Sequence, residues 1–180
     1  MVRILNVVDL QMYAVVVNDM QSLLPMIPLC VSQERCAVFD IDGTVLEMTG
    51  AVRDGMSIFG VCRRRNIPVH FVTARVDIKG VRELTVAQLR AVGILDYAGL
   101  HLFPATEERT TVNIARFKLR VRRSLSVGLN VGNAWSDVAV VDDAMDGVLD
   151  AVVGDNYFMH ADATGVFHIK LPLRPRDSKF

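Results

Sequence analysis

Short apolar runs at residues 36–41, 69–72, 100–103 and 127–131 alternate with longer stretches, 52–65, 78–92 and 112–125, whose apolar positions recur every three or four residues. The runs predict buried strands and the periodic stretches predict amphipathic helices; in the second helix Val81, Leu84, Leu89 and Val92 share one stripe. Weaker strand candidates lie at 151–153 and 166–169. Continuously apolar strands separated by helices imply an α/β fold, a parallel sheet covered on both faces that binds ligands beyond the carboxyl ends of its strands. Ahead of this rhythm, Leu5, Val8, Met12, Val15 or Val16, Met20 and Leu23 fall near helical spacing until Pro25 and Pro28 stop the pattern. Residues 4–24 are therefore expected to be helical. The expected division is a helical extension packed on the core (1–34), an α/β domain (35–173) and a tail (174–180).

Composition narrows the class. Of 180 residues 51% are hydrophobic, and 20 Lys+Arg balance 20 Asp+Glu. A chain of this size buries roughly 70% of the surface its unfolded form exposes, so it needs no staple, and disordered or collagen-like readings are excluded. Zero net charge supplies no global field toward nucleic acid or an acidic membrane, and no run approaches the ~20 apolar residues of a membrane span. Cys30, Cys36 and Cys62 lack paired spacing and read as buried thiols in a reducing compartment. Asp9 and Gln11 break the apolar start where a signal peptide would be unbroken, so the expected location is cytoplasmic.

Each run ends in polar groups. The first delivers Asp40-Ile41-Asp42-Gly43-Thr44, two carboxylates at i and i+2 that project to the same side of an extended segment. Like charges that close repel unless a cation or a shared proton lies between them; the alternative is a pair of aspartates capping the next helix. The second run ends at Thr73-Ala74-Arg75, a hydroxyl and a guanidinium suited to phosphate oxygens, although a threonine there is more often a helix N-cap. His70, within that strand, reads as a hydrogen-bonded core histidine. The run at 127–131 leads to Gly132-Asn133-Ala134-Trp135-Ser136-Asp137, whose amide and carboxylate oxygens suit a Mg²⁺ site, with Trp135 as a packing residue. Asp142, Asp143 and Asp146 are the alternative source of a ligand if 138–141 is the true strand. On spacing alone Lys118 is not singled out: Arg116, Lys118, Arg120, Arg122 and Arg123 read equally as a solvated face or a patch for an acidic partner.

In that order, Asp40-Ile41-Asp42-Gly43-Thr44, Thr73, Lys118 and Gly132-Asn133 with Asp137 resemble the four motifs of the haloacid dehalogenase superfamily of phosphohydrolases. Phe71-Val72-Thr73-Ala74-Arg75, Leu89-Arg90-Ala91-Val92-Gly93 and Phe167-His168-Ile169-Lys170-Leu171-Pro172 are similar to its acid phosphatase subgroup, the bacterial class B enzymes and plant vegetative storage proteins. The resemblance implies a Rossmannoid three-layer α/β/α fold with a parallel central sheet and a Mg²⁺-dependent phosphomonoesterase. Asp40 would be the nucleophile that forms an aspartyl phosphate, and Asp42 the general acid and base, which favours mildly acidic to neutral pH. Thr73 and Lys118 would hold the phosphoryl oxygens, with Gly43, Thr44, Ala74 and Arg75 as further substrate contacts. Mg²⁺ would be held by Asp40, the Asp42 backbone carbonyl, Asn133 and Asp137.

Position 133 is Asn where the subgroup usually has Asp, Gly43 stands where much of it has Glu, and its usual secretion signal is missing. The intervals between the motifs leave no room for a large cap, so an open site is expected unless the N-terminal helix or a homodimer partner covers it. A nucleotide or another small phosphate ester is the expected substrate. Two other readings stand beside it: a phosphatase-like domain acting on a nucleic-acid end or phosphoprotein, docking through residues 116–123, and a non-catalytic interaction protein whose metal site Asn133 has weakened.

Overall fold

The computed structural model describes residues 2–7, 12–27, 31, 34–138, 153 and 155–172, with side chains from Val15 onward. Five parallel strands form its centre: β3 (Cys36–Phe39), β6 (Val69–Val76), β7 (Gly99–Phe103), β8 (Val127–Gly132) and β10 (Phe167–Lys170). They lie in the order β10-β8-β3-β6-β7. Between them run α2 (Arg53–Arg64), α3 (Val81–Ala91) and α4 (Thr111–Arg123), close to the helices the periodicity predicts. The molecule is an α/β protein with a mostly parallel sheet.

Strand alternation separates two layers. Ala37 and Phe39 point into a core with Ile58, Phe59 and Cys62 of α2 and Leu89 of α3, whereas Cys36 and Val38 point the other way, into a core with Phe103 and Phe117. Both faces of the sheet are therefore apolar, which is why β3 reads as a continuous run rather than an alternating one. In α3 the sequence stripe is off by one residue. Leu84 is 57% exposed and Thr85 takes the buried place, because Thr85 and Leu89, four residues apart, share the face that meets the sheet, with Val92 three residues further on.

The N-terminal expectation is wrong. Residues 4–24 are not one helix: β1 (Val2–Val7) and β2 (Met12–Val17) form an antiparallel pair, and only α1 (Met20–Leu23) is helical, capped by Asp19. Val2, Ile4, Val7, Val15, Val16 and Val17 are β-branched and prefer extended backbone, and an apolar run can mimic helical spacing. The pair does not stand off as an extension. β2 pairs with β9 (Tyr157–Ala161) and β9 with β10, both antiparallel, so one eight-stranded sheet reads β1-β2-β9-β10-β8-β3-β6-β7. Of the weak strand candidate at 151–153, Val153 is buried and not in a strand, and Ala151 and Val152 lie outside the described residues; β9 is a separate strand. The alternative strand at 138–141 begins instead as the end of α5 (Trp135–Val138). Residues 139–141, with Asp142, Asp143, Asp146 and Cys30, lie outside the described residues. Cys36 and Cys62 are free, buried thiols.

The interval between Asp42 and β6 contains α2 and a two-stranded hairpin, β4 (Leu46–Glu47) and β5 (Gly50–Ala51), which the sequence reading took for plain loop. Among the described residues no helix is long and apolar enough to cross a membrane. The start of α2 seats directly on the loop after β3: a Cβ on Gly55 would lie 1.7 Å from the Thr44 carbonyl oxygen. Gly55→Ala should therefore push the helix off that loop and lower stability by about 1–3 kcal/mol, as read by denaturant unfolding, whereas Gly60→Ala on the same helix should be tolerated.

Candidate active site

Successive crossovers from β3 lead to β6 on one side, while β8 returns to the other, so a crevice opens beyond the carboxyl ends of β3 and β8. The alternation that sends Cys36 and Val38 toward α4 continues to Asp40, which meets Lys118 of that helix: Nζ donates to Asp40 Oδ1 at 2.6 Å. Lys118 also donates to Asp137 Oδ1. It lies on the inward stripe of α4 with Ala115 and Arg122, while Arg116, Arg120 and Arg123 are exposed. The solvated-face reading thus holds for three of the five basic residues and fails for Lys118 and Arg122.

Asp137 is braced on every side. Its Oδ2 accepts from the backbone N–H groups of Asn133 (3.1 Å) and Ala134 (2.9 Å), and its carbonyl oxygen accepts from Asn130 Nδ2 (2.7 Å) and Arg122 Nη1 (2.6 Å). Two carboxylates thus share one ammonium inside the protein, where Asp40 is 7%, Lys118 4% and Asp137 3% exposed. Burial, then the charge of Asp137, push the Asp40 carboxyl up to about 7 against the pull of Lys118. Burial alone would lower Lys118, but Asp40 and Asp137 outweigh it and hold the ammonium above its ordinary range.

Asp42 sits apart. Its side chain is 57% exposed and is gripped by the Arg75 fork, Nε at 2.9 Å from Oδ2 and Nη2 at 2.6 Å from Oδ1. Arg75 is itself held by Thr85 Oγ1 and Gln88 Oε1 through Nη1. It was expected to meet substrate; here its fork faces Asp42. Thr73 remains within β6 rather than capping a helix. It is fully buried, accepts from the Arg75 backbone N–H at 3.2 Å, and approaches Asp42 Oδ2 at 3.5 Å. Ala74 accepts a hydrogen bond at its carbonyl from Arg109 Nε.

Gly43 joins the first and last of these segments. Its φ is +76°, and a Cβ there would lie 2.2 Å from Asn133 Nδ2, so only glycine lets the Asp40–Thr44 turn meet the loop after β8. Thr44 is fully buried, with Oγ1 3.4 Å from Asn133 Oδ1. Of the expected metal ligands, Asp40 keeps Oδ2 without a hydrogen bond to any described residue, and the Asn133 amide oxygen meets only the long contact from Thr44. Both Asp137 oxygens are engaged, which makes it the charge partner of Lys118 rather than an open ligand. Among the described residues no three carboxylate, imidazole or thiolate side chains converge. The set nevertheless fits Mg²⁺: hard oxygens, a net buried negative charge, and an ion that keeps several of its waters.

Trp135 packs edge-on against Phe158 at 5.0 Å, and His70 pairs with His101 at 3.2 Å, as a packing tryptophan and a bonded histidine should. Beside Asp42 an open cleft of about 490 Å³ runs between the β4–β5 hairpin and α3, lined by Leu46, Glu47, Met48, Gln88 and Val92. The hairpin and its cleft, and the Arg75–Asp42 fork, were not foreseen; the alternation around Met48 and Gly50 was the one available signal. No protein-family model matches the chain, and no curated protein matches it significantly.

Between the ordinary carboxylate range and about pH 7 the folded protein holds an Asp40 proton that the unfolded chain releases, so this group's contribution to stability falls as pH rises through that window. Asp40→Asn abolishes the effect while Lys118 keeps Asp137. Without divalent cations, the variant should melt several degrees above wild type at pH 8 and close to it at pH 5. Mg²⁺ should raise the melting temperature of wild type at pH 8 more than that of the variant.

Proposed function

We propose that the protein is a Mg²⁺-dependent phosphomonoesterase of the haloacid dehalogenase type, with a Rossmannoid α/β/α core. One observation carries this reading: Asp40 sits at the switch-point crevice with one oxygen on Lys118 and, among the described residues, the other unengaged, beside one more carboxylate than ammonium. Such a pocket is short of positive charge until a cation arrives, and a carboxylate held by one oxygen is oriented to attack with the other.

Asp40 Oδ2 attacks phosphorus, the P–O ester bond breaks, and the departing oxygen takes a proton from Asp42. The aspartyl phosphate then accepts water at phosphorus as Asp42 takes the proton back, releasing phosphate and free Asp40. Lys118, already within 2.6 Å of Asp40, stabilises the charge on the transferring oxygens, with Thr73 as neutral neighbour. Asp40, Asn133 and the Asp42 backbone carbonyl would hold Mg²⁺, which would supply the charge neutralisation that lets a carboxylate approach a phosphate. Arg75, anchored to Thr85 and Gln88, holds Asp42 at the mouth of the pocket, where proton exchange with the leaving group takes place.

The cleft beside Asp42 sets the substrate class. Its volume suits a leaving group of nucleoside size, with apolar contacts from Leu46, Met48 and Val92 and polar ones from Glu47 and Gln88. Met48, at the hairpin tip, lines that cleft with a 97% exposed side chain that a bound apolar group would cover. Docking of a nucleic-acid end or phosphoprotein along α4 would rest on Arg116, Arg120 and Arg123 alone, and Arg120 is already paired with Glu107.

Hydrolysis of p-nitrophenyl phosphate, with and without Mg²⁺ between roughly pH 5 and 8, tests the reading. The expected result is turnover that needs Mg²⁺ and falls on the order of 10⁴-fold or more in Asp40→Asn. Equal rates in wild type and Asp40→Asn, or none in either, would reject it.

A further inference from the structure

At the opposite end of the strands from Asp40, a second cleft of about 530 Å³ opens where β8 and β10 begin, between the end of α4 and the β9–β10 turn. Its floor contains Arg122, 7% exposed. Nη1 of Arg122 donates to the Asp137 carbonyl, and among the described residues no carboxylate lies within ion-pairing distance of it. A buried guanidinium with one bonded N–H and no counter-ion is costly unless an anion completes it. Arg35 and Arg123 also line the cleft, with the Ser126 and Thr164 hydroxyls.

The single carboxylate of that lining, Asp162, is spent locally. It accepts from the Thr164 N–H and hydroxyl, the Val166 N–H and His168 Nε2. Asp137 and Asp162 act on Arg122 only through space, and Arg35 bonds only the Gly165 carbonyl, so among the described residues none of the three guanidiniums has an ion-pair partner. Burial holds the Arg122 guanidinium down to about 10 and both neighbouring histidines, His160 and His168, below their ordinary range, so the histidines add no charge at neutral pH. The remaining wall is aliphatic, including Leu119, Leu125, Val127 and Val166.

We infer that this cleft binds a small organic phosphoryl anion, its charged group on Arg122, Arg123 and Arg35 and its apolar body against the aliphatic wall. Guanidinium forks pair with carboxylate and phosphoryl oxygens alike, and three of them beside two hydroxyl donors suit the greater charge and the third oxygen of a phosphoryl dianion. The volume exceeds what inorganic phosphate fills and falls within the range of small-molecule sites. The site does not depend on the reaction at Asp40. It shares with that reaction only the Arg122 strut, which holds the carbonyl of Asp137.

Backbone amide chemical shifts during titration with phenylphosphonate, which no phosphomonoesterase hydrolyses, test the inference and separate the two sites. Saturable movement is expected at Ser126, Val127, Thr164 and Val166, distinct from any at Gly43, Thr44 and Ala74 and with millimolar affinity or better. Arg123→Glu and Ser126→Asp, both at exposed positions, should each weaken the cleft response by about tenfold or more and leave the Gly43 and Thr44 response intact. Benzoate and inorganic phosphate should each bind the cleft more weakly than phenylphosphonate. Silence at the cleft amides, a response unchanged in both variants, or equal binding of benzoate would overturn it.

Discussion

Two buried carboxylates share one buried ammonium, and the surrounding architecture serves that arrangement. Lys118 stands between Asp40 and Asp137 with all three nearly excluded from solvent. Removing the ammonium would leave two uncompensated carboxylates in a weakly polarisable interior, at a cost of about 3–5 kcal/mol, whereas removing Asp40 leaves Lys118 paired with Asp137. The parts that hold the three in place come from separate stretches of chain. β3 delivers Asp40, the inward stripe of α4 delivers Lys118, and the turn after β8 wraps two backbone N–H groups around Asp137. Among the described residues the group holds one more carboxylate than ammonium, and on the proposed function that imbalance is what a cation would relieve.

The sheet makes that convergence possible. β3 is central and covered on both faces, so its backbone is fixed by β6 and β8 while its alternate side chains anchor two separate cores. A residue at its carboxyl end inherits that rigidity. Gly43 then lets the chain turn back tightly enough to touch Asn133, joining loops 90 residues apart in sequence. Asp42, one step further from the strand, escapes burial and is oriented instead by a fork of hydrogen bonds. Two aspartates separated by a single residue thus acquire opposite environments, one enclosed and charge-coupled to Lys118, the other open to solvent and gripped by Arg75.

The parallel core was readable because its strands are short, apolar on both faces and followed by turn residues, and because α2, α3 and α4 keep a helical period. The first two strands were not, because β-branched residues at positions 2–17 can be counted at helical spacing as easily as at strand spacing. β9 was missed although the Asp162–Val166 turn, where Asp162 bonds ahead to Thr164 and Val166, marks a hairpin between two apolar segments. The carboxylate pair was visible in the first motif, whereas burial separates Lys118 and Arg122 from their exposed neighbours and no spacing rule announces burial of a charge. Arg75 illustrates the same limit: its position after β6 was plain, but its partner was set by where Thr85 and Gln88 hold its far side.

Whether Asp40 itself receives the phosphoryl group decides the proposed chemistry. Wild-type protein turning over an aryl phosphate with Mg²⁺, quenched in acid and reduced with borohydride, converts any acyl phosphate at an aspartate into homoserine that peptide mass spectrometry locates. Homoserine at position 40, and at no other aspartate, is the predicted result. Turnover with Asp40 recovered unchanged and homoserine at another position, or at none, would contradict it.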